Sequence, residues 1–176
     1  WDREFGRVKD VSHLRVERNL FRYRPAEVGI RAAAGAPLKA VLRVVLAGIR
    51  AGAPFTLSAA EGLPAAVRHV LGDHDLTVFV ESDAEWVRRF DGSADIVEAV
   101  ADEVAVSRPP RVRLVGEGAE AARLLAEATL GDPDIAVYAN EVTTAGRIEL
   151  LPFLHEQSVT ITAHRFGNPD PTFAGV

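Results

Sequence analysis

Cysteine and methionine are both absent from the 176 residues. Without cysteine the chain has no thiolate nucleophile, forms no disulfide and offers no Cys-ligated zinc or iron–sulfur site. Without methionine, and with no signal-peptide-like apolar stretch after Trp1, it reads as a piece excised or processed from something longer. A basic excess is lacking too. The 20 Lys and Arg stand against 25 Asp and Glu, a net charge of -5, which argues against the phosphate-tracking surface of a nucleic-acid module. Long apolar runs are also missing: the longest, in Val41–Ile49, is broken by Arg43 and falls far short of the roughly 20 residues that span a bilayer. Neither a nucleic-acid partner nor a transmembrane segment is expected.

What is present is ordinary for a globular domain. An apolar content of 48% with 26% charged residues is enough for one proper core in a chain of this length. Residues 1–17 are polar and mixed, without a clean period, and read as an opening segment. In Leu20–Arg24 the aromatics Phe21 and Tyr23 alternate with Arg22 and Arg24, the period of two of a half-exposed strand. Val28–Ala32 is a second extended piece. Pro37 then leads the strongest helix, with Leu38, Val41, Leu42, Val45, Leu46 and Ile49 at three- and four-residue spacing and Gly52 as its stop.

Beyond it the pattern alternates. Strands are expected at Phe55–Ala59, Leu76–Val80, Val112–Val115 and Ile135–Tyr138. Helices are expected at Leu63–Leu71, after a Ser82 or Asp83 cap carrying Trp86, Val87 and Phe90, at Ala119–Leu130, and at Arg147–His155. Asp95–Val106 is ambiguous between helix and strand. Ser158–His164 alternates Val159, Ile161 and Ala163 with Ser158, Thr160 and Thr162, and Gly167, Pro169 and Pro171 then break regular structure. Short apolar strands alternating with amphipathic helices predict an α/β fold: a Rossmann-like parallel sheet with helices on both faces. The expected organisation is the opening segment 1–17, the Rossmann-like domain 18–156, with 18–32 contributing to a flap, and a terminal strand and tail, 157–176.

Gly116-Glu117-Gly118-Ala119-Glu120-Ala121 follows a strand and opens a helix, and Glu141 lies near the end of the next strand. In a dinucleotide site such glycines let the backbone approach a pyrophosphate at a helix N-terminus, and the later acid holds a ribose hydroxyl. Glu117 and Glu120 would repel the phosphates, so an ordinary strand-to-helix turn is the competing and favoured reading. His155-Glu156 opens a zinc-protease pattern that fails at Val159. His13 and His164 show no ligand spacing, and His69, Asp73 and His74 read as a solvated loop rather than a metal site, so none is expected. There is no G-x-S-x-G elbow, and Ser82, Ser93 and Ser107 sit in plain turn contexts. His164-Arg165-Phe166, an aromatic flanked by cations, suits docking onto another surface, with a frayed terminus as the alternative.

From Arg22 to Glu61 the order of features resembles the start of the NAD-binding domain of aldehyde dehydrogenases. The likeness is carried by an extended pair, the turn Ala33-Ala34-Gly35 before Ala36-Pro37-Leu38, a helix closing in Ala51-Gly52-Ala53, and a strand ending Ser58-Ala59-Ala60-Glu61. By this resemblance the family's oxyanion-hole asparagine falls on Gly35 and its cofactor lysine on Ser58. Glu81 stands where the family places a glycine to admit the pyrophosphate. The catalytic cysteine has no counterpart, so no catalytic residue is expected.

A second resemblance spans the whole chain. Arg18-Asn19-Leu20-Phe21-Arg22-Tyr23-Arg24-Pro25, and above all Gly146-Arg147-Ile148-Glu149-Leu150-Leu151-Pro152-Phe153-Leu154-His155-Glu156-Gln157 running on through Ser158 to Asn168, resemble the C-terminal part of the PutA family of bifunctional proline utilization enzymes. This resemblance implies a non-catalytic, aldehyde-dehydrogenase-like domain of a bacterial, cytoplasmic protein. Its parent would join an FAD-dependent proline dehydrogenase to an NAD-dependent glutamate-semialdehyde (pyrroline-5-carboxylate) dehydrogenase, with no cofactor expected in this piece. The implied partner is the catalytic aldehyde dehydrogenase module of the same polypeptide. Ser158, Val159, Thr160, Ile161, Thr162, Ala163, His164, Arg165 and Phe166 would seal its substrate-channelling cavity. Two alternatives remain: a nucleotide-binding module using Gly116, Gly118 and Glu141, and self-association through the terminal strand.

Overall fold

The computed structural model describes residues 1–14, 16–74, 76–90, 109–162, 164–165 and 168–169. The chain divides into two compact units, one of Ala26–Phe153 and one built from Trp1–Pro25 with Leu154–Val176.

Ala26–Phe153 holds the parallel sheet. Its central strand, β3 (Val28–Ala32), is buried at every position and lies between β4 (Phe55–Ala59) and β6 (Arg111–Val115). The sequence pattern sets this strand in the flap, but it lies at the centre of the parallel sheet; its apolar composition, Arg31 apart, suits a strand covered on both faces. With β5 (Val78–Val80) and β7 (Ala136–Tyr138) the order is β5-β4-β3-β6-β7, all parallel. The sheet starts at β3, runs outward to β5, and restarts at β6 on the other side. The point of reversal lies between β3 and β6, where open α/β sheets leave a crevice.

Helix α1 (Leu38–Ala51) buries Val41, Val44, Val45 and Ala51; of the expected stripe Val41 and Val45 are buried, while Leu46 and Ile49 are exposed, because the buried face is turned toward the smaller residues Val44, Ala47 and Ala51. Gly52 ends it at φ 63, in the left-handed region, and the Ala53 N–H closes back on the Gly48 carbonyl at 3.1 Å. Helix α2 (Ala65–Gly72) follows β4. Helix α3 (Asp83–Val87) starts in a capping box, with the Glu85 N–H donating to Ser82 Oγ and the Ser82 N–H to Glu85 Oε2. Trp86 and Phe90 from this helix and its exit pack with Val112 and Leu114 of β6 and with Ala121 and Leu125 of α4 (Ala119–Ala128). The two rings meet at 5.2 Å and 65°.

The expected helix Arg147–His155 is shorter. Helix α5 spans Gly146–Leu150, a tight 3-10 turn follows at Leu151–Phe153, and the chain is already extended at Leu154. Pro152 has no N–H to continue the helical hydrogen bonding, and the α-helix gives way there to the 3-10 turn.

The second unit is an antiparallel sheet ordered β1-β2-β8. Strand β2 (Glu17–Pro25) pairs along its whole length with β8 (Leu154–Thr162), from Glu17 opposite Thr162 to Pro25 opposite Leu154. The expected strand Ser158–His164 thus begins four residues earlier and ends at Thr162. His164–Arg165 form a separate strand, β9, paired with β10 (Asn168–Pro169). The opening segment contributes β1 (Lys9–Asp10) and an aromatic cluster in which Phe5 meets Tyr23 at 4.9 Å and Tyr23 meets Phe21 at 5.2 Å, both edge to face. Phe21 and Tyr23 share one face, as their alternation predicts. Asp95–Val106 and the tail from Asp170 lie outside the described residues. Among the described residues no helix is long and apolar enough to cross a membrane.

Candidate functional site

Two places merit attention: the carboxyl end of the parallel sheet, and strand β8.

At the reversal point the loop leaving β3 folds over the end of β6. The Ala33 N–H bonds to the Val115 carbonyl at 2.9 Å, and Gly35 turns at φ 68. Gly116 stands at φ 91, and a β-carbon there would lie 3.0 Å from Ala36 Cβ and 3.1 Å from Ala36 Cα. At Gly118, the N-cap of α4, a β-carbon would come within 2.9 Å of Leu114 Cβ. Both glycines of the fingerprint therefore serve close approach of the protein to itself. Glu141 is exposed, three residues beyond Tyr138, which ends β7. The structure brings Gly116 and Gly118 together in one turn and places Glu141 on the loop after the neighbouring strand. Of the acids set against a phosphate here, Glu120 and Glu81 are paired with arginines, and Glu117 is exposed. Glu120 pairs with Arg123 at 2.6 Å, and this hydrogen bond holds its carboxyl below the ordinary carboxylate range. Glu81 meets Arg89 at 2.8 Å, whose guanidinium lies 4.5 Å from the Phe79 ring centre. Repulsion by bare charge is therefore too simple an account of Glu81 and Glu120.

Ser58 is buried and engaged within the sheet. Its hydroxyl accepts from Arg31 Nη1 at 2.6 Å. Arg31 is fully buried on β3; its Nε and Nη2 reach Asp83 Oδ1 at 2.9 and 2.6 Å, its Nη2 also donates to the Glu81 carbonyl at 3.0 Å, and it lies 5.6 Å from the Trp86 ring centre. A second buried arginine, Arg113, donates to the carbonyls of Leu114, Tyr138 and Asn140 and pairs with buried Glu149 at 3.0 Å. The other Glu149 oxygen accepts from the Thr143 N–H at 2.7 Å. These clamps were not anticipated. Their signal is an arginine flanked by apolar residues within a short strand, Arg31 between Ile30 and Ala32 and Arg113 between Val112 and Leu114.

A cleft of about 180 Å³ opens beside this turn, lined by Ala33, Ala36, Val41, Ala59, Glu61 and Leu63 among others. It falls below the roughly 300–1,000 Å³ usual for small-molecule sites. His69 pairs with Asp73 at 3.7 Å and His74 is exposed.

On β8 the chemistry is that of an edge. Its hydrogen-bonded neighbour is β2, and among the described residues it ends the sheet on the other side. Ser158, Thr160 and Thr162 are exposed, while Val159 and Ile161 are half-buried. Cross-strand ties fix the register: Arg22 Nε donates to Gln157 Oε1 at 2.7 Å and Thr160 Oγ1 to Asn19 Oδ1 at 2.8 Å. Burial raises the Tyr23 hydroxyl, with the Glu156 carboxylate opposite adding to it. Ala163 and Phe166 lie outside the described residues, and His164 and Arg165 are described only as backbone in β9.

No protein-family model matches this chain, and no curated protein matches it. A search of solved structures finds similarity to the structure of Proline Utilization A (PutA) from Corynebacterium freiburgense, at 27% identity and a TM-score of 0.54. The match covers 95% of this chain and 13% of that one, so the chain spans a small part of that protein's length.

Proposed function

We propose that this chain is the non-catalytic, aldehyde-dehydrogenase-like domain of a PutA-type protein, and that β8 with the residues after it packs on the catalytic aldehyde dehydrogenase module of the same polypeptide. There it would close the cavity through which glutamate semialdehyde passes between active sites. The observation that carries this reading is the likeness of nearly the whole chain to one part of a solved PutA.

The local chemistry agrees with it. Gly35 has no side-chain amide to stabilise an oxyanion. Ser58 is engaged by Arg31, and the chain contains no thiol. A Rossmann-like frame of this kind contributes shape and a strand rather than catalysis, and a strand at the edge of its sheet among the described residues is suited to strand addition. The gain is a higher fraction of a reactive aldehyde oxidised before it escapes to solvent. NAD and FAD would then belong to the parent's catalytic modules, in the cytoplasm.

The test uses the full-length parent. Deleting residues 158–176 is expected to lengthen the lag in coupled proline-to-NADH turnover while leaving each separate activity in place. An unchanged lag rejects the channel-sealing role.

A further inference from the structure

We infer that the outer edge of β8 takes an extended strand with a carboxylate at the end facing His155 and β-branched apolar residues at the end facing Val159 and Ile161, an inference that rests on β8 being the docking strand proposed above. In an antiparallel pair, residues directly opposite share a face of the sheet. The register therefore sets Arg24 with His155, Arg22 with Gln157 and Leu20 with Val159 on one face. One end of that face is cationic and the other apolar. Arg22 donates to a neutral amide, and neither it nor exposed Arg24 meets a carboxylate among the described residues. Arg18, by contrast, already pairs with Asp10.

The charge is concentrated here against the trend of the whole chain. Residues 1–25 and 154–176 hold eight Lys and Arg against six Asp and Glu, whereas residues 26–153 hold twelve against nineteen. A basic edge in an acidic chain selects an acidic strand. A second copy of β8 does not meet the requirement, because its single carboxylate, Glu156, lies on the opposite face, beside Tyr23.

The test titrates two blocked eight-residue peptides, Thr-Val-Thr-Val-Thr-Thr-Lys-Glu and the same sequence ending in Lys, into the 15N-labelled chain. The expected result is that the Glu peptide binds about twofold tighter, the scale of a charge attraction acting across β8 from Arg22 and Arg24 of β2. It should shift and protect β8 amides, and its advantage should vanish in 0.5 M salt. The preference should reverse in the Arg22→Glu/Arg24→Glu variant, and flatten in Arg22→Gln/Arg24→Gln should the first misfold. Equal affinities, binding of neither peptide, or concentration-dependent dimers that protect β8 without peptide overturn the inference. None of these results depends on the turnover lag of the parent, so the two ideas fail separately.

Discussion

Arg31 and Asp83 form an ion pair of 2.6 Å whose cation is wholly buried in the centre of the parallel sheet, while its anion begins a helix 52 residues later. The pair fastens α3 to β3, and Ser58 and the Glu81 carbonyl take up further guanidinium protons.

Removing the anion leaves a buried charge without its partner. Asp83→Ala is expected to cost about 3 kcal/mol, the scale for breaking a buried pair. Adding Arg31→Met to that variant should recover part of the loss, because it removes the stranded charge. Urea unfolding of the single and double variants checks both statements, and a loss below about 1 kcal/mol for Asp83→Ala would reject the clamp.

At the reversal point, Gly116→Ala places a β-carbon on a left-handed backbone and against Ala36. A cost of about 2 kcal/mol is expected from the backbone conformation and the contact together. Gly62→Ala, with open space around the added carbon, should change stability by less than about 0.5 kcal/mol and serves as the control.

The same geometry bears on nucleotides. With the loop after β3 in contact with Gly116, titration of the chain with NAD or NADP is expected to give no micromolar binding. Clear micromolar binding measured by calorimetry would instead favour the module built on Gly116, Gly118 and Glu141.

Asp10 supplies a pH dependence. Desolvation works to raise its carboxyl, but hydrogen bonds from the His13 and Ser12 N–H groups, the Ser12 hydroxyl and Arg18 outweigh it and bring it from 3.8 down to about 2. A carboxyl lowered on folding adds stability above its unfolded value and loses it as pH falls through its folded one. Asp10→Asn should therefore destabilise the antiparallel sheet at neutral pH, and the difference from the parent chain should fade between about pH 4 and pH 2. Chemical-shift titration of Asp10 and thermal melts across that window read it directly.

Much of this arrangement is written in local pattern. Helix α1 and strand β4 fall where spacing and Gly52 place them, because their burial is one-sided or complete and their ends carry turn residues. The turn at Gly116 was legible as a strand-to-helix passage, but its contact with Ala36 was not, since that contact joins residues eighty apart. Arg31 and Arg113 escape the periodicity argument for a related reason: alternation assigns charge to solvent, and only distant partners such as Asp83 and Glu149 make burial tolerable. Strand β1 is two residues long, too short to show any period, and exists because Phe21 and Leu20 offer it an edge. The early start of β8 is likewise decided elsewhere, by Arg24 and Pro25.

The Ala26 N–H donates to the Phe153 carbonyl at 2.9 Å, so the first and last residues of the parallel unit meet. Topologically that unit is an insertion whose two ends deliver Pro25 and Leu154 side by side, already in register. Closing a loop of this length in a disordered chain is entropically costly. The consequence is one of chain length: with Ala26 and Phe153 joined, the β2–β8 ladder closes over a short separation, and without that junction over the whole length of the insertion.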